Sequence, residues 1–470
     1  MEPSLFLTRV LRSLNDGGDA VAFHHDGVET SFRDAASILR RLHAALAGEG
    51  VGTAEVVGIL GGNRPETILV QLAAQLRGAT VLLIAESASL PDRLAALKAA
   101  DVTLLVIDPR RGNTDLRDAV RSVSLDDLLT RQGDHPIELP ASVRLIFPTG
   151  GTTGTPKLIV HSGIYDGMAH IFAPDPAGPG RTLLIAPMSH MTGNATTLGA
   201  LLRRDILVLH NSFDAGAVLE AIAKHRIGTL SLTPPRLAAV LDHPAMAATD
   251  ISSVRSLSLG AAPLSPSRLA QALDVFGPVV GQGYGLTEAP MIAGISAAEL
   301  DGFPDRLGSV GRIVPGMEAT IDHGEILVRG LSMMDGYLGR PPIGDGWLRT
   351  GDVGRFDDDG YLYLLDRLND VIITGEHGTK VASTTVENAL ATHPDVRAAA
   401  VIGIPTEDSE VIHAVVVATQ PGALTADDVK THVLAELGQP HFVPASVAFA
   451  DALPLTAIGK VDKAALRAGP

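Results

Sequence analysis

Short runs of Val, Leu and Ile alternate with stretches of helical periodicity over roughly the first three hundred residues. That alternation restricts the chain to layered α/β architecture with a largely parallel sheet, because each helix carries the chain back to start the next strand. Residues 34–50 (DAASILRRLHAALAGEG) set Ala36, Ile38, Leu39, Leu42 and Leu46 near one helical face and stop at a glycine. Residues 64–79 read as a second helix, followed by a buried strand at 80–85 (TVLLIA) and another run of strand length at 103–108 (TLLVID). The rhythm returns at 182–188 and 205–210, then at 216–228, a helix expected to close on its glycine, Gly228. Over 264–276, Ser265 is a candidate N-cap with Pro266 in the first helical position.

After residue 300 the texture changes to glycine-punctuated β runs at 318–330 and 355–367, the second a hairpin turning on Asp359-Gly360. A compact α+β unit follows: a helix at 386–394, strands at 397–404 and 412–419, a helix at 425–438 and a strand at 443–450, with a boundary near Arg367–Asp370. Several function classes fall to composition. With 37 Lys and Arg against 53 Asp and Glu and no basic run, nucleic acid and anionic membrane are not expected partners. Cysteine is absent, which removes disulfides, thiolate metal sites and a Cys nucleophile together. No apolar stretch approaches the ~18 residues a membrane span needs. The N-terminus carries Glu2 and Arg9 inside its apolar pattern, unlike a signal peptide, so a cytoplasmic protein is expected.

Three other chemistries find no support in the sequence. His24 and His25 are neighbours on an expected strand, so they face opposite sides and cannot share one metal. Asp357-Asp358-Asp359-Gly360 lacks the spaced ligands of a calcium loop and reads as a hairpin turn. No Gly-x-Ser-x-Gly elbow supports a serine hydrolase.

The densest local signal is FPTGGTTGTPK (147–157), directly after the apolar run SVRLIF. Glycines, threonine hydroxyls and a lysine on one loop suit phosphate oxygens, which take backbone N–H groups, hydroxyl donors and a point charge. The same residues also fit an ordinary polar turn. A Walker loop is excluded by spacing, since no Gly-Lys-Ser/Thr follows.

The run Thr149-Gly150-Gly151-Thr152-Thr153-Gly154-Thr155-Pro156-Lys157-Leu158 resembles the signature loop of the adenylate-forming superfamily, which holds acyl- and aryl-CoA synthetases, peptide-synthetase adenylation domains and luciferases. The usual form is Thr-Ser-Gly-Thr-Thr-Gly-x-Pro-Lys-Gly; Gly150 and Leu158 depart from it. Other motifs follow in the superfamily's order: GAAP (260–263), GQGYGLTEAP (281–290), WLRTGD (347–352), YLLDRLNDVI (363–372) and PLTAIGKVDKAALR (454–467). The resemblance implies a large N-terminal domain, 1–368, of layered mostly parallel sheets with helices and a small barrel-like β part. A small mobile C-terminal α+β domain, 369–470, would act as a lid.

The resemblance also assigns roles. Thr149, Gly150, Gly151, Thr152, Thr153, Gly154 and Lys157 would hold the β- and γ-phosphates of ATP, Glu288 would bind Mg²⁺, and Thr287 would reach the α-phosphate. Gly260, Ala261, Ala262, Pro263, Tyr284 and Gly285 would surround adenine; Asp352 and Arg367 would take the ribose. Lys460 would be the catalytic lysine bridging the attacking carboxylate and the α-phosphate. His190, Met191, Asn194, Gly260 and Gly283 would line the acid pocket, with His190 also a candidate catalytic group. Met191 stands where amino-acid-activating members carry an aspartate, so an α-ammonium group would be buried unpaired. Gly260, Gly281 and Gly283 leave space for an aryl or medium acyl chain.

The implied reaction joins a small-molecule carboxylic acid to AMP with Mg-ATP, then passes the acyl group to coenzyme A or a carrier-protein phosphopantetheine. An acyl or peptidyl carrier protein and a homodimer are the implied partners. Two departures bear on the second step. Asn369 stands at the hinge in place of the usual Asp or Lys. The loop 375–387 (GEHGTKVASTTVE) is longer than the usual Gly-Gly-x-x-Val-x-Pro-x-Glu-Val-Glu and lacks its proline. A ligase with an amine or other non-thiol acceptor, and a non-catalytic nucleotide-binding relative, are the alternatives.

Overall fold

The computed structural model describes residues 2–111, 116, 118–149, 157–343, 346–375, 378–406, 409–456 and 459–468. The α/β alternation resolves into two sheets with helices between and outside them. The first sheet runs, edge to edge, through Gly336–Tyr337, Lys157–His161, Arg144–Thr149, Thr80–Ile84, Val56–Leu60, Leu104–Ile107 and Ser122–Ser124. Its pairings are parallel from Arg144–Thr149 to Ser122–Ser124. The second sheet has a parallel centre made of Val21–His25, Ile206–Leu209, Arg181–Leu184, Thr229–Leu232, Ser256–Gly260 and Val280–Tyr284.

Helices Leu5–Asp16, Phe32–Gly48, Pro65–Leu76 and Met191–Arg203 fill the space between the sheets, in one core that takes Val57, Val81 and Leu104 from one side and Phe23, Leu184 and Leu207 from the other. Pro65–Leu76 is buried all round apart from Glu66, and takes Thr67, Gln71 and Gln75 inside with its apolar residues. Ser265 caps Pro266–Phe276 by accepting the Arg268 N–H, as read from sequence. The expected glycine stop of the 216–228 helix is a correction. That helix spans Ala215–His225 and ends on Arg226 in the left-handed conformation (φ 48°), because the next residue, Ile227, must turn at once into the core.

Met317–Asp322, Glu325–Gly330, Leu348–Phe356 and Leu362–Arg367 form a four-stranded antiparallel sheet, the barrel-like β part. His323 (φ 50°) and Gly324 (φ 89°) make its first tight turn, the two-residue type that matches strand twist. At the second turn the Asp357 carboxylate accepts the N–H groups of Asp359 and Tyr361, at 3.1 and 2.8 Å, which spends the acidic run on a hairpin. Ile326, Val328, Leu348 and Leu362 of this sheet pack on Tyr284, Ile292 and Ile159, so it closes the groove where the two larger sheets meet. Beyond Asp370 a fourth sheet of five strands, with helices Ser383–Leu390 and Ala426–Leu437, has its own core of Val381, Val386, Leu390, Val401, Ile412 and Val433. Asp366 ties the two parts together, accepting the Ser383 N–H at 2.5 Å and the Ser383 hydroxyl at 3.1 Å. Among the described residues no helix is long and apolar enough to cross a membrane.

One buried ion pair anchors the central helix layer. Arg64, just before Pro65–Leu76, has a side chain 3% exposed and donates at 2.8 Å to Asp108, 2% exposed, at the end of Leu104–Ile107. Asp108→Ala removes the fully enclosed partner and leaves a buried guanidinium under-paired. Chemical denaturation of the variant is expected to show a loss of about 3 kcal/mol; a change under ~0.5 kcal/mol would show that Glu66 and Asp126 suffice for Arg64.

Candidate active site

Parallel strands deliver their C-terminal ends to one side of a sheet, and ligands of such sheets bind there. A cleft of about 2870 Å³ opens at those ends, lined among others by Thr149, Lys157, His190, Tyr284, Asp352 and Lys460. Ser256–Gly260 and Val280–Tyr284 pair in parallel and so bring the segment after Gly260 beside Tyr284. Ala261 there sits at φ 68°, a left-handed backbone that a residue with a Cβ holds only where its surroundings enforce it.

Tyr284 is buried, and its hydroxyl donates to Asp352 Oδ2 at 2.6 Å. Asp352 and Arg367 are cross-strand partners, and Arg367 Nη1 reaches Asp352 Oδ1 at 2.9 Å and the Thr350 carbonyl at 3.0 Å. Burial pushes the Asp352 carboxyl above the usual range, while Arg367 and the Tyr284 hydrogen bond oppose it. Burial, then the neighbouring Asp352, raises the Tyr284 phenol. Each carboxylate oxygen keeps a second lone pair, so Asp352 can still accept hydroxyls from a sugar.

On the opposite wall, Thr149 and Lys157 face each other across an antiparallel pair. Gly150, Gly151, Thr152, Thr153 and Gly154 lie outside the described residues. Lys157 Nζ stands 5.5 Å from the centre of the Tyr337 ring, and the Tyr337 hydroxyl donates to Glu288 Oε1 at 3.0 Å. His161, fully buried, hydrogen-bonds through Nε2 to the Thr287 carbonyl at 2.7 Å and so holds the Thr287-Glu288 step against the strand that begins with Lys157. Sequence reasoning missed His161 and Tyr337; the only signal was that His161 shares a strand with Lys157. Among the described residues no cluster of three or more His, Asp or Glu forms a metal cage. A single carboxylate at Glu288, beside a threonine and a lysine, fits a hard cation that draws its remaining oxygens from phosphates and water.

The third wall is apolar with isolated polar atoms. His190 precedes the helix Met191–Arg203, and its Nε2 is buried without a hydrogen-bond partner in the structure. Burial, reinforced by Lys460 and Arg236, lowers its pKa to about 4, so the ring is neutral at pH 7. Met191 and Gly283 line the cleft. Asn194 is a correction. The helix turns it inward, where its amide donates to Gln71 Oε1 at 2.8 Å, and it is fully buried among helices rather than lining the cleft. Ala195 and Thr196 take the lining positions.

The glycines also need revision. A Cβ on Gly260 would lie 2.7 Å from the Gly283 carbonyl and one on Gly281 3.3 Å from that of Ile295, so both permit backbone approach between strands. Only Gly283 opens space, with nothing nearer than 3.9 Å. Sequence reasoning further missed Thr233, Arg236 and Gln282, which line the same region.

Lys460 enters the cleft on a hairpin closed by the bridge Leu455–Val461. Enclosure draws its ammonium below the ordinary lysine value; the Arg367 guanidinium adds to that and Asp352 opposes it. The lysine thus lines the cleft with His190 and Asp352 and lies in the electrostatic field of both.

Comparison with known proteins gives the family. Residues 11–338 match the family described as AMP-binding enzyme, and residues 385–460 its C-terminal domain. A feruloyl-CoA synthase from Amycolatopsis is 31% identical over 481 residues, covering 95% of each protein. A medium/long-chain-fatty-acid–CoA ligase from Mycobacterium tuberculosis is 33% identical, covering 89% of this chain and 82% of that one. Among solved structures, the amide bond synthetase McbA from Marinactinospora thermotolerans is 33% identical and superposes with a TM-score of 0.86 over 99% of both chains. The chain belongs to the AMP-binding enzymes of the adenylate-forming superfamily, as an ATP-dependent ligase of the acyl- and aryl-CoA synthetase type.

Proposed function

We propose that the protein activates a small carboxylic acid, aryl or aliphatic, as its acyl adenylate and transfers the acyl group to a thiol, coenzyme A or a pantetheine arm. The observation that carries this reading is that Lys460 lines the same cleft as His190, Asp352 and Arg367. A non-catalytic nucleotide binder has no need for an ammonium group held there. CoA ligases among the relatives support the thiol.

In the first step a carboxylate oxygen attacks the α-phosphorus of ATP and the bond to pyrophosphate breaks. Two anions must meet, so the site has to supply fixed positive charge and donors. Thr149, Lys157 and the loop between them would hold the departing pyrophosphate, Thr287 the α-phosphate, and Lys460 the two oxygens brought together. Mg²⁺ held by Glu288 would offset phosphate charge. Gly260, Ala261, Ala262, Pro263, Tyr284 and Gly285 would enclose adenine, with Asp352 and Arg367 on the ribose. In the second step the thiolate sulfur attacks the acyl carbonyl and AMP leaves. Residues 369–470 would rotate as a lid between steps, about Asn369 in the segment that leaves Leu362–Arg367. The cytoplasm, which supplies ATP and coenzyme A, is the compartment this reading proposes.

One observation favours a second acceptor class. Ser383 stands where the thioester-forming pattern carries proline, and its N–H, which proline lacks, is bonded to Asp366. An amine acceptor would suit that altered loop, and the amide bond synthetase is similar over the whole chain.

ATP–pyrophosphate exchange across a panel of aryl and aliphatic acids tests the first step; no exchange with any of them would overturn the reading. Mass spectrometry of the product with coenzyme A, pantetheine and amines then decides the acceptor, a thioester being expected and an amide displacing it. Lys460→Ala is expected to depress exchange by ~10²–10³, as for loss of a transition-state donor, while leaving use of a synthetic acyl adenylate intact. Equal loss of both would discredit the lysine. The protonated lysine is the active form, and enclosure lowers its pKa, so it is lost at lower pH. The kcat/KM for adenylation should therefore fall on its alkaline side below 10.5, the ordinary lysine value. In Lys460→Arg that limb should move upward or vanish.

A further inference from the structure

The helix Pro234–Leu241 begins in a way that its own stability does not explain. Thr233 occupies the N-cap position, where a threonine hydroxyl ordinarily accepts a backbone N–H of the first turn; here it makes no such bond. One turn on, Arg236 buries a guanidinium at the positive end of the helix dipole, where cations are disfavoured, and burial lowers its pKa. The Thr233 hydroxyl instead donates to the carbonyl oxygen of Gly459 at 3.0 Å, a buried hydrogen bond spanning 226 residues. Arg236 lies along the same glycine, its other side facing the Phe213 ring with the guanidinium carbon 5.3 Å from the ring centre.

Gly459 fits this seat in two ways. Its φ of 80° is left-handed, and a Cβ would fall 2.7 Å from Arg236 Nε and 2.9 Å from the Thr233 hydroxyl. Within the hairpin, Thr456 N–H donates to the Lys460 carbonyl and Gly459 N–H to the Thr456 carbonyl, both at 2.8 Å. The Lys460 N–H donates to the Thr456 hydroxyl at 3.2 Å. Those bonds shape the hairpin but do not say where it sits. The Gly459 contact does, one residue from the ammonium-bearing side chain.

We propose that Thr233 and Arg236 are positioning residues that seat the Gly459-Lys460 hairpin, so that the lysine is aligned for adenylation and for no other step. The proposal rests on the reading of Lys460 as the adenylation lysine. Thr233 stands on the second sheet's side of the hinge and Gly459 on the other, so any rotation about Asn369 parts them. Loss of the bond should therefore be felt in acid activation and not in acyl transfer.

Thr233→Val keeps the shape and removes the donor. It is expected to slow ATP–pyrophosphate exchange about tenfold through kcat, with the KM for ATP little changed and turnover of a synthetic acyl adenylate at the parent rate. Thr233→Ser should restore exchange to within about twofold. Combined with Lys460→Ala, Thr233→Val should add less than about twofold, because the group it positions is gone. Gly459→Ala attacks the same contact from the hairpin side and should reproduce the selective loss, which keeps the idea testable if the valine variant folds poorly. The proposal is overturned if Thr233→Val exchanges like the parent, if it slows both half-reactions alike, or if its full penalty persists beside Lys460→Ala. A Lys460→Ala enzyme without selective loss of exchange would instead defeat the functional reading beneath it.

Discussion

One carboxylate holds three separate parts of the molecule in register. Asp352 takes the Tyr284 hydroxyl from the second sheet and the Arg367 guanidinium from the strand that leads to the hinge, and it faces the Lys460 ammonium from the C-terminal hairpin. Burial favours the protonated acid and raises the carboxyl above its usual range, and the two donors oppose that shift without cancelling it. The arrangement is economical in a physical sense. The groups that oppose the desolvation of this carboxylate come from the second sheet, from the strand Leu362–Arg367 and from the C-terminal part.

Among the described residues, the hydrogen bonds between the large body and the C-terminal part include Ser383 to Asp366, Thr384 to Leu365, Arg268 to the Arg397 carbonyl, Ser267 to the Ala391 carbonyl, and Thr233 to Gly459. The C-terminal part meanwhile keeps a separate apolar core. Such an interface suits a reaction in two steps. Hydrogen bonds exchange with water at small net change in free energy, whereas an apolar seam would resist separation of the two parts. Lys463 adds a brace inside the C-terminal part, donating to the Ser383 hydroxyl at 2.6 Å while paired with Glu387 at 2.8 Å. Ser383 therefore links the hinge carboxylate to the last helix, a role that a proline at this position could not fill.

Much of the fold was legible because it rests on period and punctuation. Pro65–Leu76, Thr80–Ile84, Pro266–Phe276 and the Asp-Gly hairpin lie where apolar spacing, an N-cap or a turn residue put them. The helix end at Arg226 was not legible. A left-handed arginine is locally unfavourable, and only the demand to bury Ile227 makes it worthwhile. The candidate site divides in the same manner. Motif residues such as Tyr284, Asp352, Arg367 and Lys460 could be named from their strings. Asn194 was misassigned because a helix face cannot be oriented without knowing what packs on each side, and Gln71 claims it. Gly260 and Gly281 looked like open space and are instead points of close backbone approach.

From the sequence alone came the layered α/β body, the separate C-terminal unit and the ordered motifs of an adenylate-forming enzyme, because periodicity and motif spacing are local properties of a chain. The tertiary structure decided which of those residues meet. That Thr233 touches Gly459, that His161 supports Thr287, and that Lys460 lies in the fields of both His190 and Asp352 all depend on contacts across more than a hundred residues. Such contacts leave no periodic trace in the chain, since they are set by how sheets and lid pack once the apolar layers have been buried.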